Sequence, residues 1–458
     1  MQSTPRPEAV TVLGAGLAGA LLSLFLAQRG YPVDVYEMRP DMRNADISAG
    51  RSINLALSTR GTHALRQAGL YEEIMALTLP MQGRMIHPLD GALQLQRYGQ
   101  KESEVIYSVS RGELNSRLLT RAEQHPNVRL FFNQRTTGMS FETRTLFLTD
   151  EQTGRAWSFS PAVVLAADGA GSAIRKAMMS QVGFAGTQDF LVHGYKELTI
   201  PPAADGSFRL DPTALHIWPR RTYMLIALPN LDGSFTCTLF LPYQGPESFE
   251  SLTTETAVQT FFEAQFPDAV PLLPDLLTDF FTNPTGPLGT IRCAPWHVGG
   301  QSLLIGDAAH AIVPFFGQGM NCAFEDCTVL DACLETHPGD WKKVFATFEA
   351  ERKKNTDAIA HMALDNYLEM RDRVADPAFL LRRKAGLALE RLLPDTFIPM
   401  YSMVSFHRIP YAEALRRGNI QEEILVALCE GRTRLEEIDW TKAETLVLTT
   451  LSPSTSPN

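Results

Sequence analysis

Three short stretches rich in glycine, two of which also carry acidic or amide side chains, could together bind a phosphorylated ligand that has hydroxyl groups. They cover residues 14–19, 168–175 and 306–321. Backbone N–H groups in glycine turns and at helix N-termini bind phosphate oxygens, and carboxylates accept hydrogen bonds from hydroxyl groups. Together in one chain, the three stretches predict a single extended ligand that each of them contacts.

The first stretch lies between a predicted strand and a predicted helix. Val10–Leu13 is a short apolar run typical of a buried parallel strand, and the apolar residues 20–27 after the glycines predict a helix. Val33–Tyr36 then begins a second strand. The pattern predicts the βαβ unit in which dinucleotides bind.

Within this unit each glycine has a predicted task. Gly14 allows the tight turn, Gly16 lets the backbone approach a pyrophosphate, and Gly19 lets the helix pack on the strand. Glu37 ends the second strand, where a carboxylate meets a ribose hydroxyl, and Arg39 either packs on an adenine or stays solvated. Both FAD and NAD satisfy this element, which by itself does not choose between them.

The second and third stretches also follow buried apolar runs. Asp168 ends one run, Ser172 can cap the following helix, and Arg175 lies one turn later. Asp307 repeats the arrangement and could hold a polyol hydroxyl. Residues 317–321 open the next helix, where backbone N–H groups would stabilise negative charge on a ligand.

Several charged residues near the third stretch are predicted to be structural. His310 is expected to be a packed helix histidine, and Glu325 and Asp326 are expected to lie on a solvated helix face. Phe348 and Arg352 fall on one face of a long predicted helix.

Length and composition restrict the class of protein. A chain of 458 residues can hold two or three domains, and the net charge of −10 argues against a nucleic-acid partner. The six cysteines show no metal-binding spacing, and buried reduced thiols are expected. Neither a signal peptide nor a transmembrane segment is predicted.

A separate group of segments alternates apolar and polar residues as strands do. Residues 84–87 and 93–98 flank a turn and predict a hairpin on which Arg84 and Tyr98 can converge. Four further strands are predicted at 193–200, 214–218, 223–228 and 234–241. These segments predict an antiparallel sheet, and the pattern from Trp341 onward is helical.

The three glycine-containing stretches, in this order, resemble the FAD-binding elements of the class A flavoprotein monooxygenases. The resemblance implies an α/β fold like that of para-hydroxybenzoate hydroxylase: a Rossmann-type FAD-binding domain, an antiparallel β-sheet substrate domain and a C-terminal helical lid region. The domain bounds expected are 1–75 with 104–182 and 288–375 for FAD, 76–103 with 183–287 for substrate, and 376–458 for the helical region.

Within this class the chain is most similar to the members that hydroxylate kynurenine. The strings that carry this similarity are 37–39, 50–58, 216–220, 226–230, 235–240 and 314–321. The resemblance implies that L-kynurenine becomes 3-hydroxykynurenine, in tryptophan degradation. NADPH and O2 would be co-substrates, and FAD would be bound non-covalently and act through a flavin C(4a)-hydroperoxide. No protein nucleophile is then required.

The resemblance also assigns residues to the two ligands. Those expected to bind substrate are Arg84, Tyr98, Asn366, Glu369, Met370 and Tyr401 around the amino-acid end, with Leu215, Ile226, Leu228, Phe240 and Phe315 around the ring. Those expected to bind FAD are Gly14, Gly16, Leu17, Gly19, Glu37, Arg39, Ala56, Arg111, Asp168, Asp307, Gly317, Gly319, Met320 and Asn321.

Other interpretations remain open from the sequence. Arg84 could be a surface arginine, Tyr98 a lid residue, and the apolar ring contacts ordinary core. A class A hydroxylase acting on another phenolic or aromatic substrate shares all three flavin elements, as would a flavin reductase or oxidase, or a flavin-binding module without turnover. A cytoplasmic enzyme with no membrane contact is expected, and a homodimer is compatible with the sequence.

Overall fold

The computed structural model describes residues 9–44, 54–369 and 376–451. Its strands are β1 Val10–Leu13, β2 Val33–Tyr36, β3 Asn54–Leu57, β4 Thr78–Met81, β5 Gly83–Ile86, β6 Gln94–Arg97, β7 Ile106–Ser110, β8 Val128–Phe131, β9 Gln134–Ser140, β10 Thr145–Asp150, β11 Ala156–Phe159, β12 Val163–Ala166, β13 Ala185–Ile200, β14 Ala214–Arg220, β15 Tyr223–Pro229, β16 Phe235–Pro242, β17 Gly286–Ala294, β18 His297–Val298 and β19 Ser302–Leu304. Its helices are α1 Leu17–Gln28, α2 Thr59–Gln67, α3 Tyr71–Met75, α4 Arg111–Glu123, α5 Ala173–Met178, α6 Glu255–Gln265, α7 Leu276–Thr282, α8 Asp307–His310, α9 Gly319–Thr336, α10 Trp341–Leu368, α11 Pro377–Leu392, α12 Met400–Ser405, α13 Tyr411–Cys429 and α14 Trp440–Thr450.

The chain divides into two compact units, each built from three separated segments. The first, here called the flavin unit, contains Met1–Thr78, Val109–Phe190 and Gly289–Ala360. The second, the substrate unit, contains Leu79–Ser108, Leu191–Leu288 and His361–Asn458. The sequence had predicted a separate region for residues 376–458, whereas the division groups these residues with the substrate unit.

The flavin unit is organised around a six-stranded sheet of order β18-β19-β12-β1-β2-β8. All its pairings are parallel except that of β18 with β19. All residues of β1 and β12 are buried, which explains why both strands are uniformly apolar apart from Thr11. The predicted Rossmann-type sheet is confirmed.

Two helices of this unit begin at serine caps, of which the sequence analysis named Ser172. The hydroxyl of Ser110 accepts a hydrogen bond from the N–H of Glu113, and the hydroxyl of Ser172 accepts one from the N–H of Arg175. Each cap satisfies a helix N–H that has no partner within its own helix. The caps therefore fix where α4 and α5 begin.

The substrate unit contains a seven-stranded sheet of order β17-β13-β16-β15-β14-β5-β6. The β5–β6 hairpin and the antiparallel pairings of β13 to β16 agree with the sequence-based expectation. The pairing of β14 with β5 is parallel, so the sheet is mixed and the purely antiparallel expectation was wrong at this junction. The hydrophobic pattern of each strand could not reveal it, because alternation fixes the buried face but not the direction of the neighbour.

One face of this sheet packs on α6 and α7 to form the main core of the unit. Trp218, Leu225, Phe235 and Leu239 are buried in it. A second core, around Leu389, joins α11, α13 and α14. None of the described helices is both long enough and apolar enough to cross a bilayer.

Candidate active site

The glycine turn after β1 has the geometry that its sequence predicted. Gly14 has φ +89°, and a Cβ there would lie 2.5 Å from the carbonyl oxygen of Ala167. A Cβ on Gly19 would lie 2.0 Å from the carbonyl oxygen of Gly14. A Cβ on Gly16 would meet no atom within 4 Å, so this position faces open space beside the start of α1, which Leu17 begins. The first and third glycines serve the fold, and the middle one leaves room for a ligand.

Glu37 binds this turn directly. Its Oε2 accepts a hydrogen bond from the N–H of Ala15 at 2.8 Å, and its Oε1 accepts one from the N–H of Arg39 at 3.0 Å. The Arg39 side chain is 79% exposed. The carboxylate of Glu37 is thus fixed beside the turn, at the position predicted to meet a ribose hydroxyl. The side chain of Arg39 is mostly exposed to solvent.

Asp168 follows β12 and caps α5. Its Oδ2 accepts the N–H of Ala173 at 2.8 Å, whereas its buried Oδ1 has no hydrogen-bond partner among the described residues. Burial raises the pKa of this carboxyl above its usual value. An acceptor left over in a buried position fits the hydroxyl of a bound ligand.

Gly306 and Asp307 form the third turn. Gly306 has φ +60° and ψ −139°, a conformation almost restricted to glycine. The turn exposes the side chain of Asp307 at the first position of α8. An exposed carboxylate that the fold itself does not use is available to a polyol hydroxyl.

The loop that precedes α9 is fixed by the amide of Asn321. Its Oδ1 accepts the N–H of Ser58, and its Nδ2 donates to the carbonyl oxygens of Ala56 and Gly317. The side chain of Asn321 therefore connects backbone segments, so a contact with FAD would have to involve its main chain. Gly317 has a left-handed backbone conformation with φ +67°, and Gly319, two residues later, begins α9.

Three other residues expected to bind ligand lie in the flavin unit. Met320 and Phe315 are buried near the start of α9, and Arg111 is exposed at the first position of α4.

Behind the third turn lies a charged cluster that the sequence analysis misjudged. Glu325 and Asp326 were expected to face solvent, but Asp326 is fully buried and Glu325 is partly buried. Asp326 pairs with Arg352 and His310, and Glu325 pairs with Arg352 and Arg60. The sequence did contain a sign of this cluster. Arg352 shares a face of its predicted helix with Phe348, and a buried arginine usually pairs with a carboxylate.

The substrate-unit sheet brings most of the predicted ring contacts onto one face. Arg84 pairs with Leu215 in the parallel junction, and Ile226 pairs with Ile217, two residues after Leu215. Because the side-chain period of a strand is two, Leu228 and Phe240 lie on this same face through their pairings with Thr236 and Met224. The opposite face is the core around Trp218.

Arg84 forms the polar centre of this face. Its side chain is buried, and its guanidinium carbon lies 5.8 Å from the ring centroid of Tyr98 and 5.2 Å from that of Tyr401. The two rings are stacked with centroids 5.3 Å apart. The Nε of Arg84 and the hydroxyl of Tyr98 make no hydrogen bond with the described residues. A buried guanidinium with a free donor fits a carboxylate ligand.

The side chains around Arg84 favour its charged form. Burial acts to lower the pKa of Arg84, but Tyr401, Tyr98 and Glu369 raise it above its ordinary value. Glu369 follows α10, whose buried Asn366 precedes it by one turn. Met370 lies outside the described residues.

Arg383, on α11, is a residue that the sequence analysis missed. Burial, together with the like charge of Arg84, lowers its pKa, and its guanidinium donates to Gln96 on β6. Nothing in its sequence context distinguishes it from the arginine before it, because only the tertiary structure brings α11 to the sheet.

Comparison with known proteins identifies the family to which the chain belongs. A family model described as an FAD binding domain matches residues 8–362. A protein of Myxococcus xanthus named kynurenine 3-monooxygenase is 52% identical over 451 residues, covering 98% of this chain and 97% of that protein. One of the same name from Stenotrophomonas maltophilia is 50% identical over 437 residues, covering 95% and 96%.

Among solved structures, the tetrameric form of 2-methyl-3-hydroxypyridine-5-carboxylic acid oxygenase superposes with a TM-score of 0.65. It covers 82% of this chain and 96% of its own at 19% identity, a likeness that concerns the fold. The family model and the two named relatives show that the chain is a flavoprotein monooxygenase with FAD as its cofactor. More narrowly, it belongs to the kynurenine 3-monooxygenase family.

Proposed function

We propose that this chain hydroxylates L-kynurenine to 3-hydroxykynurenine, using NADPH and O2 with bound FAD. The observation that carries the proposal is the buried Arg84 beside the stacked rings of Tyr98 and Tyr401. Its Nε makes no hydrogen bond with the described residues, and apolar side chains lie on the same face of the sheet. Together with the family membership, this combination of a carboxylate anchor and an apolar surface supports an aromatic amino acid as the substrate.

Different residues of the substrate unit would bind different parts of the substrate. Arg84 would hold the carboxylate and Glu369 would meet the α-ammonium group. Leu215, Ile226 and Phe240 would surround the aromatic ring and exclude water from it. This arrangement fixes the ring position, which is the main task that the chemistry leaves to the protein.

Bound FAD, reduced by NADPH, supplies the activation of oxygen. One oxygen atom enters the ring and the other leaves as water, with the two electrons drawn from NADPH. The aniline amine of kynurenine donates electrons to the ortho carbon and so favours attack there. No side chain needs to act as a nucleophile. Gly16, Glu37, Asp168 and Asp307 would hold the cofactor.

The test is a turnover experiment with isotopically labelled O2, NADPH and L-kynurenine. The expected product is heavier than kynurenine by one oxygen and carries the label. The control uses labelled water with ordinary O2 and should give unlabelled product.

Two outcomes would count against the proposal. NADPH oxidation that yields only hydrogen peroxide would point to an oxidase. Labelled product from a phenol, but not from kynurenine, would point to another class A hydroxylase.

A further inference from the structure

The charged cluster behind the third turn is unusual because burying charges is costly. It consists of Arg60, His310, Glu325, Asp326 and Arg352, all in the flavin unit. The side chains of Arg60 and Asp326 are 0% exposed and that of Arg352 is 3% exposed. A cluster of this kind contributes little net stability compared with apolar packing. Its position in the fold therefore indicates what other role it serves.

A metal ion is a poor explanation for the cluster. Ligand atoms of His310, Cys322 and Asp326 lie within 4.8 Å of one another, which suits a cation in distance. The guanidinium of Arg352 already occupies this region. Its Nε lies 2.7 Å from Oδ1 of Asp326, and its Nη2 lies 3.2 Å from Sγ of Cys322. The positive charge of Arg352 would repel a metal ion placed beside it. Arg352, and not a metal ion, therefore neutralises the carboxylate of Asp326.

Asp326 connects the cluster to the cofactor turn. Its Oδ2 accepts the backbone N–H of Gly306 at 3.0 Å and the Nε2–H of His310 at 2.6 Å. The carbonyl oxygen of Gly306 accepts the N–H groups of Ala309 and His310 at 2.9 and 3.0 Å. Both polar groups of Gly306 are therefore fixed, in a conformation that only glycine adopts easily. The next residue is Asp307, which the fold leaves exposed.

We propose that Asp326 is a positioning residue for FAD, which acts by orienting the Gly306–Asp307 turn. Arg352 and His310 hold the carboxylate, the carboxylate holds the Gly306 N–H, and the fixed peptide presents Asp307 and the start of α8. The inference rests on FAD binding at this turn and does not depend on kynurenine being the substrate.

Glu325 provides a matched control within the same cluster. It accepts hydrogen bonds from Arg60 at 3.0 Å and from Arg352, and none of its side-chain hydrogen bonds with the described residues involves the Gly306 turn. A change at Glu325 disturbs the charge balance as much as a change at Asp326. Only the change at Asp326 alters the side chain that accepts the Gly306 N–H.

The test compares Asp326→Asn with Glu325→Gln in the full chain after removal of FAD. All three partners of Asp326 are donors, so the NH2 group of an asparagine would face a donor and leave a bond unmade. FAD affinity, measured by flavin fluorescence quenching, should fall about tenfold or more for Asp326→Asn and less than about threefold for Glu325→Gln. Urea unfolding of the FAD-free proteins should show similar losses of stability for both variants.

Equal losses of FAD affinity in the two variants, in step with their stability, would show that Asp326 is only structural and would overturn the inference. If Asp326→Asn does not fold, His310→Ala replaces it, because His310 holds the carboxylate without contacting the Gly306 N–H through its side chain. A folded His310→Ala protein with parental FAD affinity would also overturn it. A parent protein that binds FAD but forms no hydroxylated product would remove the proposed function and leave this inference intact.

Discussion

The flavin unit and the substrate unit offer different kinds of binding surface. The flavin unit offers backbone: glycine turns at Gly14 and Gly306, the open position at Gly16, and helix starts. The substrate unit offers side chains: a buried Arg84 with tyrosine rings on a sheet face. Backbone recognition requires glycine at fixed spacing, whereas side-chain recognition requires residues that are distant in sequence to meet.

This difference extends to the buried histidines of the two units. His310 in the flavin unit contacts the carboxylate of Asp326: burial would lower its pKa, but Asp326 and Cys322 raise it to about 10. His216 in the substrate unit lies against His87, which bonds to Asp268, and burial lowers the pKa of His216 to about 4. Of these two histidines, His310 is charged and His216 is neutral, because a carboxylate contacts His310 directly whereas the ring of His216 contacts the imidazole of His87.

The largest expected effect is at Gly14. Gly14→Ala should destabilise the FAD-free protein by at least about 2 kcal/mol, because the methyl group meets a carbonyl oxygen and the residue must keep a positive φ. The purified protein should lack flavin absorbance. Gly16→Ala is the matched control: its urea unfolding should be unchanged without FAD, while its FAD affinity should fall about tenfold. Identical behaviour of the two variants would refute the division into fold and ligand glycines.

Arg84→Met tests the side-chain site. Loss of a charge-assisted hydrogen bond should raise the KM for kynurenine about tenfold to hundredfold, from about 1.5–3 kcal/mol. The FAD spectrum should stay unchanged, because Arg84 belongs to the substrate unit. Tyr98→Phe should raise KM less, since one neutral donor is lost. A normal KM in Arg84→Met would place the carboxylate anchor elsewhere.

Asp307→Ala is the reciprocal test in the flavin unit. FAD affinity should fall by about tenfold through loss of one charged acceptor, measured by fluorescence quenching. The KM for kynurenine, measured at saturating FAD, should remain near that of the parent. A protein that holds FAD as tightly as the parent would remove Asp307 from the cofactor site.

The smallest expected effect distinguishes the histidines by pH. The unfolded chain takes up a proton at His216 near pH 6.5, but the folded chain does so only near pH 4, so stability is lost as pH falls through this window. The loss should be about 1 kcal/mol between about pH 7 and 5.5 and should be absent in His216→Gln. His310, whose folded pKa is raised from 6.5 to about 10, contributes stability that is fully present below about pH 6.5 and is lost as pH rises from there to about 10.

Urea unfolding at both pH values measures this effect. An acid response that survives in His216→Gln would assign the proton uptake to another group.

The sequence by itself determined the local turns, helix caps and parallel strands of the flavin unit. The turns at Gly14 and Gly306, the caps at Ser110 and Ser172, and the strands that precede them are local features. Their conformations depend on neighbours within a few residues, and backbone geometry restricts which residues are allowed. For the substrate half, alternation in the strands predicted the sheet but not the parallel pairing of β14 with β5. Arg84 and Tyr98 were identified through family resemblance and a hairpin, and their roles remain predictions.

Only the tertiary structure decided which distant side chains meet. It joined Asp326 to Arg352 and to the Gly306 turn, where the local pattern of α9 had suggested a solvated face, and it brought Arg383 to the β6 strand. A charge on a helix gives no local sign of burial, because the helix forms equally well with that face in water or in the protein. Burial depends on what packs against the helix, and that is set by the packing of the whole chain.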